Sequence, residues 1–303
     1  MKQGLTRHSE RSARIQIDGE ALRHNLGRVK AYAPSSKVMA VIKANAYGHG
    51  VFSAASYLDA ADAFALAMPA EAVALRRAGC SRPLVVLQGF ANQEELKLCA
   101  KYELQPVIHQ QWQAELLYSA SRFSLDVWLK IDTGMHRLGV PPEAVDQAYQ
   151  TLKSAAVVHS IRFMSHFANA DDPVNPLNNI QLESFIHVIS KYEAERSIAN
   201  SAAVISNAGS QLDWVRPGIM LYGSSPLLER SAEELDLRPV MQFESRLAAI
   251  QHVRKGDSIG YGSTWQCPED MPVGVVAAGY GDGYPRHAPS GTPVWINGHL
   301  CPS

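Results

Sequence analysis

Met39-Ala-Val-Ile-Lys43-Ala-Asn-Ala-Tyr47-Gly-His-Gly50 joins an apolar run to a small, glycine-bearing exit, with a lysine at the junction. The run from Val38 to Ile42 is short and continuously apolar, the texture of a strand buried on both faces, and predicts a strand over 38–43. Residues 44–50 then read as the mouth of an α/β unit. A lysine held at such a mouth is partly desolvated, which lowers its pKa and frees its amine for a Schiff base with an aldehyde cofactor. Tyr47 offers a hydroxyl four residues on, and Gly48 and Gly50 can turn backbone N–H groups toward a phosphate. The plain structural alternative is a strand-end lysine that snorkels its ammonium to water.

Outward from this stretch, short β-like runs alternate with longer segments whose apolar residues recur at helical spacing. Strands are predicted over 15–18, 38–43, 63–66, 84–87, 106–108, 125–131, 157–163 and 197–199, and helices over 20–31, 70–78, 92–101, 110–119, 143–154 and 179–193. That alternation favours a parallel eight-stranded (β/α) barrel over an open doubly wound sheet, and a barrel places chemistry at strand C-termini, where Lys43 lies. After about residue 230 the texture changes. Strand-like segments over 239–253 and 273–278 follow one another without helices, separated by turn formers at 255–257 and 267–269. The expected organisation is a basic extension over 1–14, a barrel over 15–237 and a mainly β domain over 238–303.

With 303 residues, 46% of them hydrophobic and 19% charged, the chain can bury a large core. A net charge of -1 gives no footprint for nucleic acid or an anionic membrane. Cys80, Cys99, Cys267 and Cys301 are scattered, without metal-ligand spacing, as expected of reduced thiols in a cytoplasm. The basic start precedes no apolar segment of a secretory signal, and no stretch is long and apolar enough to span a bilayer.

Further clusters fall at predicted strand ends. Trp128-Leu-Lys130-Ile-Asp-Thr-Gly-Met-His-Arg137-Leu-Gly139 begins as a buried strand and ends in a polar loop. Arg137 there can grip a carboxylate or a cofactor phenolic oxygen, or serve as a surface ion-pair partner. Lys130 points into the strand, where an unpaired ammonium is costly and an acid partner would relieve it. His166, in Ser165-His-Phe-Ala-Asn-Ala-Asp171, has the ordinary use of a hydrogen-bonded structural histidine. Ser201 in Arg196-Ser-Ile-Ala-Asn-Ser-Ala-Ala203 is placed to cap a helix start, which is also an anion site. In Asp213-Trp-Val-Arg216-Pro-Gly-Ile-Met-Leu-Tyr-Gly223, Pro217 fixes an extended Arg216, while Gly218 and Ile219 can aim N–H groups at phosphate oxygens. Tyr261, between two glycines in Ser258-Ile-Gly-Tyr-Gly-Ser-Thr-Trp265, has the look of a turn tyrosine. Gly279-Tyr-Gly-Asp-Gly-Tyr-Pro-Arg286 reads as entrance architecture.

Together these segments, in this order, resemble those of the alanine racemases, fold type III pyridoxal-phosphate enzymes, over essentially the whole chain from residue 15. The resemblance implies a pyridoxal-phosphate-dependent racemase that interconverts L- and D-alanine by two-base proton transfer and supplies D-alanine for peptidoglycan. It implies that Lys43 forms the imine with the cofactor and serves the D side. Tyr261, contributed across a homodimer interface, serves the L side. Tyr47, Ser201, Gly218 and Ile219 would hold the phosphate, and Arg216 would face the pyridine nitrogen. An arginine there cannot hand the ring a proton as an acid would, so the carbanion is less stabilised, which suits simple α-proton exchange. Arg137 would orient the substrate carboxylate and His166 would steady the arginines; Lys130 would support Arg137, either carbamylated, as its counterpart is in many members of the family, or paired with an acid. No metal, nucleic acid or membrane partner is implied. The family's β domain normally continues past Ser303, so the chain is expected to lack the end of that domain. The competing expectation is a non-catalytic pyridoxal-phosphate-binding barrel or an inactive fragment, which would keep Lys43 and the phosphate grip without a two-base site.

Overall fold

The computed structural model describes residues 12–303 and divides them into two units; of the expected N-terminal extension, residues 1–11 lie outside the described residues. The larger unit, Ile17–Val240, is a closed barrel. Strand β1 (Arg14–Ile17) precedes it, then helix α1 (Gly19–Tyr32), and β2 (Lys37–Val41) opens the barrel. A one-turn element α2 (Lys43–Tyr47) and helix α3 (Val51–Tyr57) lead to β3 (Ala63–Leu66), α4 (Pro69–Arg77), β4 (Leu84–Val86) and α5 (Gln93–Lys101). The alternation continues through β5 (Leu104–Ile108), α6 (Gln111–Tyr118), β6 (Leu125–Lys130), α7 (Val145–Ser154), β7 (Val158–Met164), α8 (Pro176–Ile189), β8 (Arg196–Asn200), α9 (Ser201–Ser206) and β9 (Trp214–Arg216). Strands β2 to β9 pair in parallel in chain order, and β9 closes on β2 through Lys37↔Trp214 and Val38↔Val215.

The expected set of eight strands is corrected at both ends. Residues 14–17 do not open the barrel but pair with β10 (Met241–Glu244) in the other unit. Asp18, expected inside that strand, instead caps α1, its Oδ1 accepting from Glu20 N and Ala21 N at 2.9 and 3.0 Å. The closing strand is β9, the three residues that end at Arg216, immediately before Pro217.

Strand alternation sorts the side chains into two cores. Met39, Val41, Ala63, Ala65, Val85, Val107, Trp128, Met164 and Trp214 fill the barrel interior, where the two indoles meet edge to face at 5.9 Å. Their strand neighbours, such as Ala40, Ile42, Leu129, Phe163 and Val215, share the outer core with helix residues including Leu22, Leu26, Leu117 and Phe185. Below the indoles, ionic contacts plug the N-terminal end. Glu195 accepts from Lys37 Nζ at 2.6 Å and Arg162 Nε at 2.7 Å, and Asp126 accepts from Ser160 Oγ at 2.6 Å.

The smaller unit joins residues 12–16 to Met241–Ser303 and is built of β-strands and short turns. β11 (Leu247–Val253) pairs antiparallel with β14 (Met271–Val276), and β12 (Ser258–Ile259) with β13 (Trp265–Gln266). β15 (Pro293–Ile296) and β16 (His299–Pro302) form a hairpin whose Asn297-Gly298 turn takes φ 51° and 85°, the twist that two-residue hairpins prefer.

Candidate active site

The inward-facing rows of the barrel, continued by two residues beyond the apolar interior, reach charged side chains. Lys43 follows Val41, Lys130 follows Trp128, His166 follows Met164 and Arg216 follows Trp214. All four line one cavity of about 550 Å³ at the C-terminal mouth, with Tyr47, Arg137, Ser201, Gly218 and Ile219. Nine of the ten residues singled out from sequence therefore meet in the barrel unit. The tenth, Tyr261, belongs to the other unit, where it is 95% exposed on a turn flanked by Gly260 and Gly262 at φ 78° and 75°.

Lys43 leads into a turn of the wrong hand. Ala44, Asn45, Ala46 and Tyr47 all have φ between 52° and 55°, a conformation costing roughly 1–2 kcal/mol at each residue that carries a Cβ. Tertiary contacts hold it there. Glu71 accepts from Ala44 N through one carboxylate oxygen and from Ala67 N through the other, both at 2.8 Å. Asn45 Oδ1 accepts from Val51 N at 2.9 Å, at the start of α3. Sequence reading missed Glu71, whose only local signal is its place in the first turn of α4.

Arg216 is 4% exposed and fans its guanidinium over Ser197 Oγ (2.6 Å), Ile198 O (3.3 Å), Ser165 O and His166 Nδ1 (3.0 Å). Because an arginine only donates, His166 Nδ1 must accept, and the proton of the neutral imidazole sits on Nε2. Burial first, then the charges of Arg216, Lys130 and Arg137, hold His166 well below the usual histidine value, so it stays neutral. Burial, followed by Arg216 and Arg137, pulls Lys130 down to about 8 against the opposing pull of Asp132. Lys43 is lowered by burial and then by Arg137, with Glu71 opposing. Arg216 itself is lowered by burial to about 10 and remains a cation. Arg137 lies on the loop after β6, which Asp132 shapes by accepting from Gly134, Met135 and His136 N, each at 3.0 Å. Burial pushes the Asp132 carboxyl up, but those three donors outweigh it and leave it below the ordinary carboxylate range.

Ser201 is not the cap expected of it. Asn200 caps α9, its Oδ1 accepting from Ala203 N at 3.1 Å. The buried Ser201 hydroxyl instead accepts from Gly218 N at 2.8 Å and Met220 N at 3.4 Å. Opposite them, a Cβ added to Gly218 would lie 2.8 Å from the Tyr47 hydroxyl, so glycine keeps this corner open. Lys43, Lys130, Arg137 and Arg216 line the cavity, and Asp171 is the acid among the lining residues. That excess of positive charge selects an anion. The hydroxyls of Tyr47 and Ser201 beside bare backbone suit a phosphate, and the lowered Lys43 amine suits an aldehyde. Pyridoxal phosphate fits this donor set.

The alanine racemase N-terminal domain model matches residues 17–226, and the alanine racemase C-terminal domain model matches 240–303. The chain belongs to the alanine racemase family. The alanine racemase of Nitrosococcus oceani is 51% identical over 288 residues, 94% of this chain and 81% of that protein. The biosynthetic alanine racemase of Pseudomonas aeruginosa superposes with a TM-score of 0.93 at 42% identity, covering 96% of this chain and 82% of that one. A Bartonella henselae alanine racemase solved with covalently bound pyridoxal phosphate is similar at TM-score 0.85 and 26% identity, over 95% of this chain and 81% of that one. Alanine racemases depend on pyridoxal phosphate and interconvert the enantiomers of alanine.

Proposed function

We propose that this chain racemises alanine through two proton carriers on opposite faces of one site, Lys43 from its own barrel and Tyr261 from a partner copy. The observation that carries this is a half-buried lysine with a lowered pKa at the mouth of β2, facing a cavity walled by Arg137, Lys130 and Arg216. Bound pyridoxal phosphate supplies the electron sink that makes the α C–H of the amino acid acidic. Lys43 Nζ then takes or returns the proton on the D side. A single group on one face can only exchange a proton with retention, so inversion requires a second carrier, and the exposed Tyr261 hydroxyl serves the L side. Arg137 orients the substrate carboxylate with its planar fork. Tyr47, Ser201, Gly218 and Ile219 grip the phosphate. Arg216, fixed by Ser197, Ser165 and His166, presents donors and no carboxylate to the ring nitrogen. Lys130 supports Arg137, most economically as a carbamate that replaces a disfavoured cation with an anion.

The same proposal makes the protein a homodimer with shared sites, working in a cytoplasm and supplying D-alanine for cell-wall precursors. Four free cysteines support the location, and no helix among the described residues is long and apolar enough to cross a membrane. The test is proton exchange from each enantiomer of alanine in deuterated water, followed alongside chiral analysis. Tyr261→Phe should abolish exchange from L-alanine while leaving residual exchange from D-alanine. Equal loss from both enantiomers would remove Tyr261 from its assigned side.

A further inference from the structure

Tyr222 ends the short turn Ile219–Tyr222 that follows the Arg216-Pro-Gly218 segment, and it is 6% exposed. Its hydroxyl donates to Val41 O at 3.0 Å, two residues before Lys43. Its ring lies against Tyr47, with centroids 5.0 Å apart and planes at 38°, and against His49 at 4.6 Å and 32°. His49 Nδ1 donates in turn to Ala46 O and Tyr47 O at 3.0 and 3.1 Å. One buried aromatic thus touches the end of β2, the left-handed turn and the histidine that closes it. The backbone ties the same two segments together, since Val41 N donates to Pro217 O at 2.9 Å. Beyond Tyr222, Gly223 takes φ 86°, and a Cβ there would meet Arg238 O at 2.0 Å, which fixes the far side of the turn.

We propose that Tyr222 is a positioning residue: it holds the turn at 44–47 in its left-handed conformation so that the Lys43 amine and the Tyr47 hydroxyl address one occupant of the cavity. This rests on the reading of Tyr47 as a phosphate ligand. A purely structural Tyr222 would contribute to stability alone.

The test is reconstitution of the cofactor-stripped full chain with pyridoxal phosphate, with affinity read from the absorbance of the bound cofactor. The variants are Tyr47→Phe, Tyr222→Leu, their double and Tyr222→Phe, and the thermal unfolding of each stripped protein is recorded beside the affinity. Tyr47→Phe and Tyr222→Leu should each weaken binding roughly tenfold, and the double should be no weaker than the worse single, because both act through one contact. Tyr222→Phe keeps the ring and should recover affinity to within about threefold of the parent. Factors that multiply in the double, or a Tyr222→Leu protein that melts earlier with unchanged affinity, would overturn the proposal while leaving the Tyr47 reading intact. Unchanged affinity in Tyr47→Phe would instead remove that reading and the proposal with it. If Tyr222→Leu does not fold, the cycle runs with Tyr222→Phe, whose smaller factor must vanish in the Tyr47→Phe background.

Discussion

At the residue scale, Lys130 shows how crowding of like charge becomes a measurable property. Its side chain is buried, and that burial, with the charges of Arg216 and Arg137, lowers its pKa in the folded chain to about 8 against an ordinary 10.5. Below pH 8 the folded and unfolded chains both hold the proton, and the native state carries the full desolvation penalty. Between about 8 and 10.5 the unfolded chain binds more protons, so this group makes stability rise with pH. Lys130→Met should remove that rise and stabilise the protein near neutrality by about 2–3 kcal/mol, measured by urea unfolding across that range. Carbamylation would also erase the slope. Bicarbonate should therefore flatten the parent's profile and leave that of Lys130→Met unchanged, and a parent profile indifferent to bicarbonate would count against the carbamate.

At the element scale, the barrel was legible where strands are long enough to show their texture, and the charged mouth was legible as motifs. The strand over 63–66 and most helices need only local pattern. β9 escapes because three residues ending at a proline fall below any strand template, although Pro217 does force the extended backbone that carries Arg216. β1 misleads because a strand's partner is not written in the strand. The left-handed turn is illegible for a sharper reason: of Ala44, Asn45, Ala46 and Tyr47 only the asparagine tolerates that region readily, and Glu71, far along the chain, supplies part of what holds it. The plug at the opposite end of the barrel, which ties β2 and β7 to the segment before β8, was likewise missed and carries its own prediction. Burial works against the Glu195 carboxylate, but Lys37 and Arg162 outweigh it and lower its pKa to about 2. Above about pH 4.5 it is charged in both states and its bonds count in full; as pH falls toward 2 the unfolded chain is protonated first and the contribution disappears. Glu195→Gln should therefore lose about 1 kcal/mol at neutral pH, after discounting for solvent screening. It should also flatten the decline of melting temperature between pH 4.5 and 2, and an unchanged decline would show that the plug does not contribute.

At the scale of the whole molecule, the two residues proposed as proton carriers belong to different units of one chain. Lys43 stands in the barrel cavity, and Tyr261 stands 95% exposed on a glycine-flanked turn of the β unit, where it fills no core of its own. A side chain so placed is accessible to a second copy, as the proposed shared site requires. If each site takes Lys43 from one copy and Tyr261 from the other, activity belongs to the symmetric assembly, and two defective chains can repair one another. Lys43→Ala and Tyr261→Phe, each inactive as a racemase, should regain activity when mixed, partly unfolded and allowed to reassociate. Random pairing places about half the subunits in mixed dimers, each with one intact site of two, so recovery should approach about a quarter of the parent rate. A double variant carrying both changes on one chain, mixed with the parent, sets the opposite expectation: its mixed dimers hold no site with both defects and none fully intact. Recovery in the first mixture, with loss beyond simple dilution in the second, is the signature of sites built across the interface. A first mixture that stays inactive while native mass spectrometry shows mixed dimers would return both proton carriers to a single chain.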